Sequence, residues 1–176
     1  IGCQSDLNGS NTLLIDCDPQ GNLSSWFLDS TPRYELADVL QGKCFVDEAI
    51  IPLAGIENLY ILPTFGIGGT LKNYSETKLA DEPFVIQDLI KELSEKFDRI
   101  ILDLSPGLGR LERAALIASN EIITPMTSEV FSLDGLEIFI DELARLKKNY
   151  KSSVKHNKII INSFDERIKQ HRDIYN

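Results

Sequence analysis

The feature that most constrains this chain is the segment 13–22, which reads LLIDCDPQGN. Three apolar residues run directly into Asp16 and Asp18, and a proline, a glutamine and a glycine follow. An apolar run that ends at proline and glycine predicts a buried strand followed by a sharp loop. Ligands of parallel α/β sheets bind outside the carboxyl ends of the strands. This acidic loop is therefore the first place to expect a functional site.

Length and composition fit one globular domain. The chain has 176 residues, of which 43% are hydrophobic and 26% are charged, and this balance is ordinary for a globular protein with a buried core. No apolar run approaches the roughly 20 residues that a membrane span needs. The three cysteines, Cys3, Cys17 and Cys44, are scattered and show no C-x-x-C spacing, and an odd number of scattered cysteines indicates a reducing cytosol. We expect a single cytoplasmic domain.

Charge is distributed unevenly along the chain. The net charge is −9, yet residues 147–176 carry +5 and residues 1–146 carry −14. A basic end on an acidic body can contact phosphate backbones despite the overall sign. The alternative is that these charged side chains only form the solvated surface of a helix and a loop.

Apolar periodicity predicts strands that alternate with helices. The strands are expected at residues 11–15, 59–62, 99–104, 121–126 and 158–161, and the helices at residues 35–41, 84–97 and 111–119, with Gly42 ending the first of these helices. A further helix is expected to have Ser132 as its N-cap, with Leu136, Phe139, Ile140, Leu143 and Leu146 on its apolar face. This alternation predicts the α/β class, with a mostly parallel sheet covered by helices on both faces.

A second strand repeats the design of the first. Residues 99–109 read RIILDLSPGLG, so an apolar run again delivers one aspartate, Asp103, to its carboxyl end. An aspartate there is well placed to orient a hydrated Mg²⁺, which takes few protein ligands. Gly107 and Gly109 would let the backbone approach a phosphate closely. Two such strands in one chain favour a site over a pair of structural turns.

These segments together resemble the ParA/Soj type of partition ATPases, a branch of the deviant-Walker P-loop ATPases. The first loop is similar to the family's D-x-D-P-Q-G-N loop, and residues 129–136 (EVFSLDGL) match its E-x-F-S-L-x-G-L run. Residues 103–109 resemble its D-x-P-P-x-L-G segment, with Ser105 in place of the first proline. In the helix at 111–119, Glu112 stands where threonine is common. The resemblance implies a three-layer, P-loop NTPase-like fold.

The resemblance also implies roles for individual residues toward ATP and Mg²⁺. Asp18 would position the water that attacks the γ-phosphate. Asp103 would hold Mg²⁺ through water, and Asp16 would support the Mg²⁺ shell. Pro106 and Gly107 would contact the γ-phosphate. Asn162 would contact adenine, because it lies in a segment (159–167) similar to the one that borders the family's adenine pocket.

The function implied is slow ATP hydrolysis in plasmid or chromosome segregation. ATP would close a homodimer that binds DNA non-specifically, and a ParB-like centromere-binding partner would stimulate hydrolysis. The protein would be cytoplasmic and nucleoid-associated, without stable membrane association. MinD-like relatives place the same ATPase on a membrane through a terminal amphipathic helix, for which these residues give no pattern. The D-P-Q-G-N loop also favours partition, and a MinD-like positioning ATPase stays an alternative.

The family's phosphate-binding loop, K-G-G-x-G-K followed by Ser or Thr, does not occur in these 176 residues. In the family it lies one helix before the D-x-D-P-Q strand. We expect the natural protein to be longer, so that residues 1–176 form one ATPase-like domain that is incomplete at both ends. The non-enzymatic alternative is a pseudo-ATPase that acts as a regulatory or scaffolding partner.

Two further segments carry weaker expectations. Residues 66–70 (GIGGT) contain glycines like a phosphate loop, but we expect a flexible surface loop that opens no clear helix. Trp26 and Phe27 follow the acidic loop, and we expect packing in the core or at a dimer edge rather than base stacking.

Overall fold

A computed structural model describes residues 9–79, 82–127 and 130–162 of the chain. Its residue contacts group into two compact units, Ile1–Ala115 and Leu116–Asn176. The single domain expected from the sequence stays a prediction.

The first unit contains a four-stranded sheet with the strand order β2–β3–β1–β4. Its strands are β1 (Thr12–Asp16), β2 (Ile51–Pro52), β3 (Leu59–Leu62) and β4 (Arg99–Asp103). Strand β1 runs parallel to β3 and to β4, whereas β2 pairs antiparallel with β3. Strands β1, β3 and β4 confirm three predicted strands to within one residue at each end. Strand β2 is too short to leave an alternating pattern, and it was not predicted.

The central position of β1 explains its composition. All of its residues are buried, as expected for a parallel strand with a neighbour on each edge. Leu14 packs with Leu53, Leu59 and Ile61, and Phe27 lies against the same cluster. Fully burying such an apolar side chain contributes about 1.5–3 kcal/mol. The core therefore fixes the strand that carries the acidic loop.

Helices lie between the strands of the first unit and after its last strand, where the final helix continues to Ala118, beyond the end of the unit at Ala115. They are α1 (Asn22–Phe27), α2 (Leu36–Leu40), α3 (Val46–Ala49), α4 (Leu71–Thr77), α5 (Val85–Leu93) and α6 (Arg110–Ala118). Helices α2, α5 and α6 confirm predicted helices, although α5 ends before the predicted Phe97. Ile86, Leu89 and Leu93 form the buried face of α5. Helices α1, α3 and α4 are too short to repeat an apolar stripe, and they were not predicted.

The prediction that Gly42 ends helix α2 is confirmed. Gly42 has a φ of 68°, a left-handed conformation that glycine adopts without steric cost. Its N–H donates to Val39 O at 2.9 Å, and Lys43 N donates to Asp38 O at 2.9 Å. These two bonds form a Schellman C-cap, which satisfies carbonyls at the end of the helix.

The second unit contains β5 (Glu121–Thr127), α7 (Val130–Tyr150) and β6 (Lys155–Asn162). Strands β5 and β6 pair in parallel, so both units are of the predicted α/β class. The prediction that Ser132 caps the helix is wrong, because α7 begins at Val130 and Ser132 lies inside it. Leu143 and Leu146 are buried as predicted, but Ile140 is half-exposed. None of the helices in the described part of the chain is long and apolar enough to cross a membrane.

Two expectations about the surface of the first unit are corrected. Residues 66–70 lead directly into α4, so the expectation that no clear helix follows them is wrong. Leu71 and Tyr74 are buried, and their burial holds this short helix in place. Trp26 is 84% exposed and does not pack in the core of the chain. Its packing at a dimer edge stays a prediction.

Candidate functional site

Asp16 and Asp103 end neighbouring parallel strands at the same level. The register of β1 and β4 pairs Thr12 with Arg99 and continues to Asp16 paired with Asp103. The next residue extends the pairing, because Cys17 N donates to Asp103 O at 2.9 Å. Residues paired in register point to the same face of a sheet. Two carboxylates therefore stand side by side at the carboxyl edge of the sheet.

Asp16 is fully buried, with 0% exposure, and donors contact both of its carboxylate oxygens. Asp18 N donates to Oδ1 at 3.2 Å, and Ser24 donates to Oδ2 through its N at 2.8 Å and its Oγ at 2.6 Å. Ser24 lies in the first turn of α1, so Asp16 caps this helix from a distance of eight residues. Burial raises the pKa of Asp16, although these hydrogen bonds act in the opposite direction.

Asp18 lies in a tight turn just beyond β1. Gln20 N donates to Asp18 Oδ1 at 2.9 Å, and Gly21 N donates to Asp18 O at 2.9 Å. Such side-chain bonds to the backbone two residues ahead are typical of aspartate in turns. Asp18 is 8% exposed, and in the part of the chain that the structure describes, no group donates to its Oδ2. One carboxylate oxygen of Asp18 is thus held, and the other remains for a ligand.

Asp103 differs from Asp16 because it is open to solvent. Partial burial raises its pKa, and the negative charges of Asp16 and Asp18 raise it further. No Lys or Arg among the described residues forms an ion pair with any of these carboxylates. Three carboxylates in electrostatic contact without a partner cation form a site that favours binding of a positive ion.

These residues fit Mg²⁺ by the chemistry of their donors. No group of three or more His, Cys, Asp or Glu side chains within residues 9–79, 82–127 and 130–162 could hold a metal ion. Mg²⁺ does not need such a group, since it keeps several waters and takes one or two carboxylates plus substrate phosphates. Asp103, with Asp16 beside it, matches that requirement.

A cleft of about 550 Å³ opens beside Asp18 in the first unit. Its lining includes Ser105 and Glu112 from the segment after β4, together with the cations Lys72 and Arg110. Ser105 Oγ donates to Glu112 Oε1. Sequence reasoning did not single out Lys72 or Arg110, because neither lies in a recognisable motif. The lining also includes the acidic residues Asp18, Glu76 and Glu112, so the cleft brings charges of both signs together.

The remaining predicted residues lie at two other places. Pro106 and Gly107 are exposed in the turn that follows β4, and a Cβ added to Gly107 would meet no atom within 4 Å. Backbone of this turn is thus accessible to a ligand. Asn162 is the last residue of β6 in the second unit, where it pairs with Thr127. Residues 163–167 of the predicted adenine-pocket segment lie outside the described residues.

Comparison with known proteins shows the family of this chain. The family described as "AAA domain" matches residues 3–156. An uncharacterized protein of Borreliella burgdorferi is 38% identical over 162 residues, which are 90% of this chain and 65% of the relative. The chromosome-partitioning ATPase Soj of Treponema pallidum is 27% identical over 99% of this chain and 68% of its own length. The chain thus spans about two thirds of the length of these relatives.

Solved structures share the fold. A plasmid partition protein from Borrelia burgdorferi superposes with a TM-score of 0.82 at 26% identity, covering 99% of this chain and 74% of that one. Cobyrinic acid a,c-diamide synthase from Mycobacterium smegmatis, solved with an ATP analog and magnesium, gives 0.84 at 23% identity, covering 99% and 71%. The mostly parallel P-loop NTPase-like fold predicted from the sequence is thereby confirmed. With the family match over most of its length, the chain belongs to this AAA domain family and, within it, to the ParA/Soj type of partition ATPases.

Proposed function

We propose that this chain forms the hydrolytic part of an ATP-dependent DNA partition protein. The observation that carries the proposal is the pairing of Asp16 with Asp103 in register at the carboxyl edge of parallel strands, with Asp18 in the turn just beyond. Phosphoryl transfer depends chiefly on positioning and on charge neutralisation. A set of fixed carboxylates at this edge can serve both needs.

Each residue has a defined part in this proposal. Asp18 presents its free Oδ2 to the attacking water and orients that water toward the γ-phosphate. Asp103 holds Mg²⁺ through water. Asp16, whose oxygens already accept hydrogen bonds from Ser24 and the Asp18 backbone, supports the Mg²⁺ shell by its negative charge. When bound, Mg²⁺ neutralises charge on the phosphates.

The two flanking contacts are also part of the proposal. Pro106 and Gly107 offer exposed backbone that can approach the γ-phosphate and move when it leaves. Asn162 carries an amide at a strand end of the second unit, and an amide can both donate to and accept from adenine.

Nucleic-acid binding and assembly follow from the family. We expect ATP to close a homodimer, the dimer to bind DNA non-specifically, and a ParB-like partner to stimulate hydrolysis, in the cytoplasm at the nucleoid. Local support comes from the basic end of the chain, where Lys147, Lys148, Lys151, Lys155 and Lys158 are all exposed. Counterion release depends on the phosphates that such a patch contacts, so a negative net charge does not by itself exclude DNA binding.

The test compares Asp18→Asn and Asp103→Asn with Asp29→Asn, an exposed control, in the natural full-length protein. We expect Asp18→Asn to bind ATP but to hydrolyse it about 10²-fold more slowly, because the attacking water would lose the group that orients it. Asp103→Asn should weaken the Mg²⁺ dependence of binding, whereas Asp29→Asn should match the wild type.

Two outcomes would contradict the proposal. Hydrolysis by Asp18→Asn at the wild-type rate would remove the role given to this carboxylate. A wild-type protein that neither binds nor hydrolyses Mg-ATP would instead indicate the pseudo-ATPase alternative.

A further inference from the structure

Glu35 is a buried carboxylate that holds one loop together. It is 1% exposed and immediately precedes α2. Its Oε1 accepts hydrogen bonds from Thr70 N at 2.7 Å and from Thr70 Oγ1 at 2.9 Å, and its Oε2 accepts one from Phe65 N at 2.8 Å. The adjacent backbone adds a fourth bond, from Leu36 N to Pro63 O at 2.8 Å. Glu35 thus fixes both ends of the loop 63–70.

The same loop lies directly against the turn that carries Asp18. Thr64 Oγ1 donates to Asp16 O at 2.6 Å. Gly66 faces the turn so closely that a Cβ added to it would lie 2.4 Å from Gln20 O, and a Cβ added to Gly21 would lie 2.7 Å from Gly66 N. Backbone meets backbone here, so neither segment can shift without moving the other.

We propose that Glu35 is a positioning residue that sets the place of the Asp18 carboxylate through the loop 63–70. The connection runs from the Glu35 carboxylate to Phe65 and Thr70, through Gly66 to Gln20, and so to the Asp18–Gly21 turn. The inference rests on the proposed function, because Asp18 matters for rate only if it orients the attacking water. Glu35 itself touches no reacting group.

Charge and hydrogen-bond chemistry explain why glutamate is needed. Three donors converge on two acceptor oxygens, and an ionised carboxylate accepts at all of its lone pairs. Glutamine has one acceptor oxygen, so its NH₂ group would face either Phe65 N–H or the two donors of Thr70. These donors are partly buried, and a donor shielded from water that loses its acceptor destabilises the protein, so the loop would move to find new partners. A small displacement of a catalytic group can lower a rate substantially.

The experiment uses a pair of glycines with the same φ. Gly66 and Gly42 both have a φ of 68°, which alanine rarely adopts, so alanine strains the backbone at either position. A Cβ added to Gly42 would meet nothing within 4 Å, whereas a Cβ added to Gly66 would strike Gln20 O. Gly66→Ala therefore disturbs the Asp18 turn, and Gly42→Ala is its matched control.

We would measure kcat and KM for ATP, with the unfolding midpoint, for Glu35→Gln, Gly66→Ala and Gly42→Ala in the full-length protein. The expected result is a loss in kcat of about tenfold to 10²-fold for Glu35→Gln and Gly66→Ala with KM nearly unchanged. Gly42→Ala should lose stability but keep the wild-type kcat. Thr70→Val, which removes only one of the three donors, is a milder variant should Glu35→Gln fail to fold, and it should lower kcat by a few fold.

A merely structural role for Glu35 would lower the unfolding midpoint without lowering kcat of the folded protein. The inference is overturned if kcat of Gly66→Ala and of Glu35→Gln, or of Thr70→Val in its place, equals that of Gly42→Ala. Asp18→Asn separates this failure from failure of the proposed function. If Asp18→Asn loses activity while the loop variants do not, only the role of Glu35 is wrong; if Asp18→Asn keeps full activity, the proposed function is wrong.

Discussion

Ser105 and Glu112, the two residues at which the second acidic segment departs from the partition-ATPase pattern, contact each other: Ser105 Oγ donates to Glu112 Oε1. Glu112 lies in the first turn of α6 and is 8% exposed. The hydrogen bond closes the turn that contains Pro106 and Gly107 onto the start of this helix. The two departures therefore form one unit, in which the serine supplies the donor that a buried carboxylate requires.

This pairing predicts non-additive effects on stability. Ser105→Pro leaves the Glu112 carboxylate without its donor, and Glu112→Thr leaves Ser105 without its acceptor. The double variant carries the family's residues at both positions and leaves neither group unsatisfied. We expect a coupling of about 0.5–3 kcal/mol in a double-mutant cycle. Urea unfolding of the four proteins measures it, and strictly additive effects would refute the pairing.

From the contacts of Asp16 we predict that Asp16→Asn, which removes the charge but keeps the shape of the side chain, destabilises the fold. Asp16→Asn replaces one acceptor oxygen with an NH₂ group, which would face either Asp18 N–H or the two donors of Ser24. A buried donor left unpaired costs about 1–3 kcal/mol. Urea unfolding at neutral pH gives the free energy of unfolding, with Asp29→Asn as the exposed control. A loss no larger than that of the control would contradict the contacts described.

The exposed lysines predict the salt dependence of DNA binding. Lys147 and Lys148 end α7 and are exposed. If each neutralises one phosphate, replacing both by alanine lowers the slope of log K against log salt by about 1.8 in magnitude. Lys91 in α5 is also exposed, and Lys91→Ala serves as the control. Fluorescence anisotropy with ATP at several salt concentrations measures the slope, and an unchanged slope in the double variant would exclude these two lysines.

Much of the site could be predicted because parallel strands impose its geometry. Asp16 and Asp103 each follow an apolar run in the sequence, and adjacent parallel strands bring their carboxyl ends to one edge. The apolar stripe of α5 and the glycine stop of α2 are likewise local signals, and both helices were found. Local pattern thus sufficed wherever the structure depends on residues near one another in the chain.

The residues that hold the site in place could not be predicted in this way. Ser24 and Thr64 contact Asp16 from 8 and 48 positions away, and Glu35 reaches Thr70 across 35. No periodicity links such residues, since their meeting depends on how the loops after β1 and β3 pack. Glu35 looks like an ordinary residue before a helix in the sequence. Only the fold shows that its carboxylate is buried and accepts hydrogen bonds from another loop.

We predict that the cluster of Asp16, Asp18 and Asp103 lowers the free energy of unfolding when no cation is bound. Burial and the charges of Asp16 and Asp18 raise the pKa of Asp103 above the ordinary value of 3.8. A raised pKa means that the native state binds more protons than the unfolded state in this range. The free energy of unfolding therefore falls as pH rises from 3.8 through the pKa of Asp103. Asp103→Asn should remove this contribution and stabilise the cation-free protein at neutral pH.

Unfolding by urea in EDTA, from about pH 4 to about pH 8, measures this pH dependence. Asp103→Asn should show a flatter profile than the wild type, with a residual slope from Asp16, whose pKa is also raised by burial. Adding Mg²⁺ should stabilise the wild type more than Asp103→Asn, because a ligand stabilises the state that binds it. Asp29→Asn should follow the wild type throughout. If Asp103→Asn is less stable than the wild type in EDTA at neutral pH, the carboxylates do not repel one another, and the case for a cation site at this edge fails.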